Sequence, residues 1–377
     1  MNLALLALSP RSHGGQYQYT VTLLDALREL GRRGLCELTI VHRRDYEGGE
    51  GDGVRAAIRL EGRSVPAAAW LATYLGTPMP ACRKGSFDVA VSPKTSLAAH
   101  NVGRTSVVTI HDLQHRHLPH FFSWPRRVLR DWLYRRSAHS ADAIVCETEY
   151  VKRDIVECYR VPEGRVYVVP SPPPKYLVSA IVDEAGLAEV RRRYRLPGRY
   201  LFYPAQFWAH KNHLLLVESL ALLKKAFGLD VALVLVGSRK ENFGRTMRRV
   251  RELKLESQVV YLGYVPDQDI PYLFKAAGVL VVPSFFESLS IPIWEAFHLG
   301  VPVVCANTCA FPEQVGRAAL MFDPHSVTDC ANQIHECLTN ETLARRLTVR
   351  GRERVAGLTL PTYADQWRRV LESVVAN

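Results

Sequence analysis

The sequence predicts an α/β chain made of two similar halves, each built on a parallel sheet. Short apolar runs alternate with longer amphipathic stretches along nearly all of the 377 residues, which is how repeated βα units read. The alternation breaks once, at the proline cluster "PSPPPKY" (170–176), and then restarts. The length also exceeds what one hydrophobic core usually organises, and 47% hydrophobic residues are enough to bury two.

Taken in order, the opening "MNLALLALSP" superficially resembles a signal peptide. It lacks a positive n-region and its apolar run is short, so a buried first strand over 2–8 is expected instead. Strands follow at 37–42, 87–92, 106–110, 142–147 and 166–170, with helical patterns between most of them. Four prolines in 170–176 forbid helix continuation and ladder pairing there, so this stretch is expected to link two domains. The second half supplies strands at 200–204, 231–237, 259–263, 278–284, 301–306 and 318–322. The last stretch, "LPTYADQWRRVLESVVAN", is helical by period and is placed to fold back across the first domain. The expected division is therefore 1–172, 178–358 and a closing helix over 359–377. Two such halves are expected to face each other over a cleft. In open α/β sheets, ligands sit at the carboxyl ends of the strands, so that is where chemistry is sought.

The formal net charge of +11 fits a surface that attracts polyanions or anionic lipid headgroups, or a site built for phosphates. The eight cysteines are scattered without a C-x-x-C pair, which argues against zinc ribbons and disulfide scaffolds and fits a reducing cytosol. No apolar run approaches the roughly 20 residues of a membrane-spanning helix, so a soluble or peripheral protein is expected.

At the first strand's end, Gly14 and Gly15 precede an apolar-periodic helix. A glycine pair permits close backbone approach, and the helix start offers free N–H groups and a positive dipole end to an anion. The pattern is not G-x-G-x-x-G, so the nicotinamide fingerprint is absent. A tight turn without ligand is the plainer alternative.

The second half carries "PSFFESLSIPIWEAF" (283–297) at the end of an expected strand. A helix is expected to begin near Leu289 with Pro292 in its first turn, so the backbone N–H groups of Ser288, Leu289, Ser290 and Ile291 suit a diphosphate. Glu287 precedes that start and Glu295 lies inside the helix. At about 1.5 Å per residue the two flank a phosphate-sized gap, and carboxylates accept charge-assisted hydrogen bonds from sugar hydroxyls. For an isolated pair the plainer alternative is a capping Glu287 and a solvated Glu295.

The pair is not isolated. Together with the Gly14–Gly15 loop, "TIHDL" (109–113), "YPAQFWAHKNH" (203–213), "LGYVPDQDIPYLF" (262–274) and "FPEQVGRAALMFDP" (311–324), it resembles the E-x7-E signature of the retaining glycosyltransferases of family 4. The resemblance covers nearly the whole chain. It implies the GT-B fold, with two Rossmann-like domains facing a cleft, a nucleotide-sugar donor held mainly by the second and an acceptor by the first. It places Glu287 on the donor hexose, Glu295 on the ribose, and Ser288 to Ile291 on the diphosphate, with Gly15 meeting it from the other side. Lys211 matches the cation that neutralises the leaving diphosphate, and His111 lies near the reacting end of the sugar, with Asp112 orienting its loop. Many members carry an arginine several residues before that lysine, but here the region reads "PAQFW".

Other features compete with this reading. His111, His115, His117 and His120 fall within ten residues, but without a carboxylate or cysteine at ligand spacing an acceptor-facing loop is favoured over a metal. "DQD" (267–269) imitates a manganese motif of another glycosyltransferase fold, yet it directly precedes "IPYLFKAA", where helix capping accounts for the acids. No cofactor and no metal are expected. The stretch "FFSWPRRVLRDWLYRRSAHS" is basic and amphipathic, as at the inner face of an anionic membrane, and equally fits a domain helix with a solvated arginine face.

The resemblance implies transfer of a hexose, with retention, from a nucleoside-diphosphate sugar to a hydroxyl of a glycan or lipid-linked acceptor. "YPAQFWAHKNH" and "CAFPEQVG" resemble bacterial mannosyltransferases of surface-polysaccharide assembly, which makes GDP-mannose the expected donor. A nucleotide-sugar epimerase or a phosphorylase on the same fold is the alternative enzyme reading. A non-catalytic polyanion-binding module is the alternative outside enzymes, and nothing here resembles an RNA- or DNA-binding motif.

Overall fold

The computed structural model describes residues 1–8, 14–43, 52–60, 71–77, 82 and 85–376. The chain divides into two compact units, one formed by Met1–Pro172 with Leu358–Asn377 and the other by Pro173–Gly357.

The first unit holds seven strands: β1 (Asn2–Ala7), β2 (Glu37–Arg43), β3 (Ala56–Leu60), β4 (Phe87–Ser92), β5 (Gly103–Thr109), β6 (Ala143–Cys146) and β7 (Val166–Val168). They pair in parallel in the order β3-β2-β1-β4-β5-β6-β7. The central strands read as unbroken apolar runs because helices cover both faces of a parallel sheet. Leu3, Leu5, Val89, Val91 and Val107 face one apolar cluster, while Ala4, Leu6, Ala90, Val108 and Ile144 face another.

Two elements depart from the sequence expectation. β3 is an added strand of sequence "AAIRL", mostly exposed, whose single neighbour in the sheet is β2. An edge position needs little burial, so its apolar signal is weak. β5 begins at Gly103 rather than at 106. A Cβ on Gly103 would stand 2.5 Å from the Ala90 backbone nitrogen, so glycine is what allows the two strands to approach there.

The C-terminal helix Leu360–Ala376 belongs to this first unit. Tyr363, Ala364, Trp367, Val370, Leu371 and Val374 bury against the apolar face of the helix Gly15–Arg32. Arg33 and Asp365 pair at 3.0 Å, and Ser373 Oγ donates to Tyr167 Oη at 3.0 Å, where β7 lies.

The second unit holds β8 (Tyr200–Pro204), β9 (Ala232–Val236), β10 (Val259–Gly263), β11 (Val279–Val282), β12 (Val303–Ala306) and β13 (Leu320–Phe322). Their order is β10-β9-β8-β11-β12-β13, again all parallel. Both sheets therefore reverse their winding once, between β1 and β4 in the first unit and between β8 and β11 in the second. Open α/β sheets bind ligands at the carboxyl ends of the strands at this reversal. The proline stretch also differs from expectation at its end. A short helix, Lys175–Val178, begins directly after Pro174, so Tyr176 is helical rather than part of an extended link.

Candidate functional site

In the second unit the loops after β8 and β11 meet at the winding reversal. β8 runs through Tyr203 into a single turn, Ala209–Lys211, and Asn212 adopts a left-handed conformation (φ 55°) before the helix His213–Phe227. The Asn212 side chain does not cap that helix. It donates instead to the carbonyls of Pro283 (3.1 Å) and Pro324 (3.0 Å), tying three loops together. The Phe285 N–H donates to the His210 carbonyl at 2.8 Å, fixing the β8 and β11 loops side by side.

This clamp brings Lys211 against Glu287. Lys211 Nζ donates to Glu287 Oε1, and Ser284 Oγ donates to the same oxygen at 2.7 Å. Tyr203 Oη lies 2.9 Å from Ser284 Oγ and donates to the Lys211 carbonyl at 3.1 Å. The Lys211 and Glu287 side chains are 23% and 12% exposed, so the pair is largely withdrawn from water yet open on one side. Lys211 is therefore not an ordinary surface lysine.

From Glu287 the chain leads into the helix Ile291–Leu299, with an extended Ser290 as its cap and Pro292 in the first turn. Gln314 grips Ser290 on both sides: its Oε1 accepts the Ser290 N–H at 2.9 Å and its Nε2 donates to the Ser290 carbonyl at 2.8 Å. Of the four amides expected to offer themselves to a diphosphate, that of Ser290 is thus already spent. Among the described residues none accepts from the amides of Ser288, Leu289 or Ile291. These three remain beside the helix start, where the dipole favours negative charge.

Glu295 does not sit on a solvated face. It is 3% exposed, and Tyr176 Oη donates to its Oε1. Burial pushes its pKa up to about 7, with the nearby Asp267 carboxylate adding to the rise and the Tyr176 hydrogen bond opposing it. Nothing in the proline-rich stretch marked Tyr176 as a partner of the E-x7-E motif. Gln314 lay within a segment already singled out, but a buried glutamine has no sequence signature.

The "DQD" acids are not helix caps. Asp269 makes no side-chain bond to the helix Ile270–Ala276 and instead accepts from Arg193 Nη1 (3.0 Å) and Tyr194 Oη (2.6 Å). A guanidinium forms a stronger, charge-assisted bond to this buried carboxylate than a helix amide does.

In the first unit, Gly14 (φ 56°) precedes the helix that Gly15 begins; residues 9–13 lie outside the described residues. The left-handed φ is what makes glycine suitable at 14. His111 follows β5. Its Nδ1 lies 3.2 Å from Glu147 Oε2 and its Nε2 lies 3.0 Å from the Pro93 carbonyl, with the Tyr19 ring edge-on at 4.6 Å. Burial works against the imidazolium, but Glu147, the Pro93 carbonyl and Asp112 outweigh it and raise the pKa above its ordinary value. Glu147 in turn accepts from Ser171 Oγ at 2.5 Å. A carboxylate closing a buried parallel strand was the available signal for Glu147. Asp112 Oδ1 accepts from the Gln114 N–H (3.0 Å) and from Arg130 Nη2 (2.9 Å). Burial raises its pKa, but the Arg130 guanidinium, the Gln114 N–H and the nearby His111 and His115 together outweigh this and hold it below its ordinary value. The other histidines each have separate surroundings: His115 meets Asp131 at 3.2 Å, and His117 meets both Asp154 oxygens at 2.8 Å.

Comparison with known proteins agrees with this layout. The family described as Glycosyltransferase Family 4 matches residues 13–172, and that described as Glycosyl transferases group 1 matches residues 190–354. The O-antigen chain mannosyltransferase B of Escherichia coli is 30% identical over 250 residues, 65% of this chain and 64% of that protein. The serotype-specific mannosyltransferase WbdA of Escherichia coli is 26% identical over 67% of this chain and 31% of its own length. The matches thus span somewhat under two thirds of the first relative and about a third of the second. The fold is that of a sucrose-phosphate synthase from Thermosynechococcus elongatus (TM-score 0.75, 19% identity, 100% of this chain and 99% of that one). It is likewise that of Anabaena HepE solved with UDP and glucose (TM-score 0.74, 16% identity, 99% and 100% covered). Two parallel-sheet units, a Lys-Glu pair at the second reversal and family matches over both halves lead to one conclusion: the chain belongs to the group 1 glycosyltransferases of the GT-B fold.

Proposed function

We propose that the chain is a retaining hexosyltransferase that takes mannose from GDP-mannose and joins it to a hydroxyl of a glycan or lipid-linked acceptor. The observation that carries the reading is the cluster of Lys211, Glu287 and the unclaimed amides of Ser288, Leu289 and Ile291 at the end of β11. The mannosyltransferase names of the relatives support the choice of sugar.

On this reading the amides and the Lys211 ammonium hold the donor diphosphate, and Glu287 takes hydroxyls of the hexose with its remaining lone pairs. Glu295 takes the ribose. The bond from the anomeric carbon to the diphosphate oxygen breaks, and the acceptor oxygen bonds to that carbon on the same face. The acceptor's proton passes to the departing diphosphate, whose growing charge Lys211 and the amides stabilise. His111, with its Nε2 held by the Pro93 carbonyl and its Nδ1 by Glu147, is the first unit's candidate for contact with the acceptor. Positive charge from Lys211 and the helix start does the work a divalent ion would do, so activity is expected to survive chelation.

The test is release of GDP from GDP-mannose in the presence of a mannan-type acceptor. Lys211→Ala should lower kcat by roughly a hundredfold to a thousandfold, the usual effect of losing one charge-stabilising donor, while leaving the fold intact. Wild-type turnover of UDP-glucose in preference to GDP-mannose would refute the sugar assignment. Release of the nucleotide at full rate without any acceptor would favour the epimerase alternative.

A further inference from the structure

We propose that the helix Trp124–Ser140 docks the first unit onto an anionic lipid bilayer surface, lying in the plane of the headgroups. Four large apolar side chains stand exposed on it: Trp124 (69%), Val128 (45%), Leu129 (43%) and Trp132 (38%). Their spacing of four, five and eight residues from Trp124 puts them along one stripe of the helix. A stripe that a soluble fold would bury is here turned outward, while Leu133, Ser137 and Ala138 face the core.

The charges divide in the same way. Asp131, the helix's one acid, is half-buried and neutralised by Arg116, accepting from its Nε (2.6 Å) and Nη2 (2.9 Å). Arg130 turns inward, to Asp112 and Tyr134. What remains outside is of a single sign: Arg126, Arg135 and Arg136 are exposed and Arg127 is half-buried. Among the described residues none of these four forms an ion pair. The Arg136 guanidinium lies over the Trp132 ring at 5.4 Å, a pairing of cation and aromatic that suits a boundary between lipid and water.

The occupant follows from these properties. Tryptophans sit at the headgroup level with one edge apolar and one wet, and unpaired arginines around them are drawn to anionic phosphates. A protein partner would call for complementary acids. Helix and stripe are too polar to cross a bilayer: among the described residues no helix is long and apolar enough to do so. At about 1.5 Å per residue the helix covers roughly 25 Å of surface, which fits an interfacial helix.

The experiment is sedimentation of the full chain with vesicles of mixed phosphatidylglycerol and phosphatidylcholine, and with phosphatidylcholine alone, at rising salt. The proposal predicts pelleting with the anionic vesicles that weakens as salt rises, and little with neutral ones. Replacing Arg126, Arg127, Arg135 and Arg136 by Gln should weaken partition about fivefold per residue. Trp124→Ser with Trp132→Ser should also release the protein, with circular dichroism still showing the folded chain because neither residue belongs to the core. Absence of pelleting, equal pelleting with neutral vesicles, or full pelleting of the Gln variant overturns the proposal. So does self-association of the wild type that the Trp variant abolishes without any lipid binding, since the stripe would then be covered by a second copy.

Discussion

Glu295 combines near-complete burial with one hydroxyl partner, and that combination sets a pH dependence. Its ordinary pKa is near 4.5 and the folded value is about 7, so between these limits the folded state holds a proton that the unfolded state has released. Stability from this site is full below about pH 4.5 and is lost as pH rises toward about 7. The span corresponds to on the order of 3 kcal/mol. Melting of the wild type should therefore fall across that window, and Glu295→Gln, which cannot ionise, should flatten the profile; an unchanged slope in the variant would assign the dependence elsewhere. The Tyr176 hydrogen bond favours the carboxylate, so Tyr176→Phe should move the window to higher pH. Both effects are readable by thermal melts at a series of pH values.

At the scale of single elements, the start of the helix Ile291–Leu299 depends on Gln314. Its amide satisfies both the N–H and the C=O of Ser290, and both are buried. Gln314→Ala would strand the buried Ser290 N–H, at about 1–3 kcal/mol, while the Ser290 carbonyl keeps the Ile293 N–H at 3.1 Å. A lowered melting temperature together with weaker nucleotide binding is the expected result, because the neighbouring amides would lose their fixed aim. The strands that place this helix were legible in the sequence because parallel strands buried on both faces are continuous apolar runs. β3 was not, since an edge strand with Arg59 in its middle carries little of that signal. Among side chains, Glu287, Glu295 and Lys211 were marked by motif spacing, and so were the four amides from Ser288 to Ile291. What spacing could not reveal is competition for a partner. Ser290 gives its N–H to Gln314, Asp269 goes to Arg193 instead of its helix, and Tyr176 reaches Glu295 from 119 residues away in the chain.

At the scale of the molecule, both units are wound alike, and each sets its candidate residues at the strand ends beside its own winding reversal. The first unit also depends on the end of the chain, because Trp367 is fully buried among the residues of the helix Gly15–Arg32. Trp367→Ala should cost about 3–5 kcal/mol and lower the melting temperature of the first unit. Calorimetry with and without GDP would separate that transition from one stabilised by ligand in the second unit.

The most direct measurement is a crystal structure of the chain with GDP bound. The diphosphate should lie against the amides of Ser288, Leu289 and Ile291, with Lys211 turned from Glu287 toward a phosphate oxygen and the ribose hydroxyls on Glu295. A diphosphate bound elsewhere, with Lys211 still on Glu287 and those amides unused, would contradict the account.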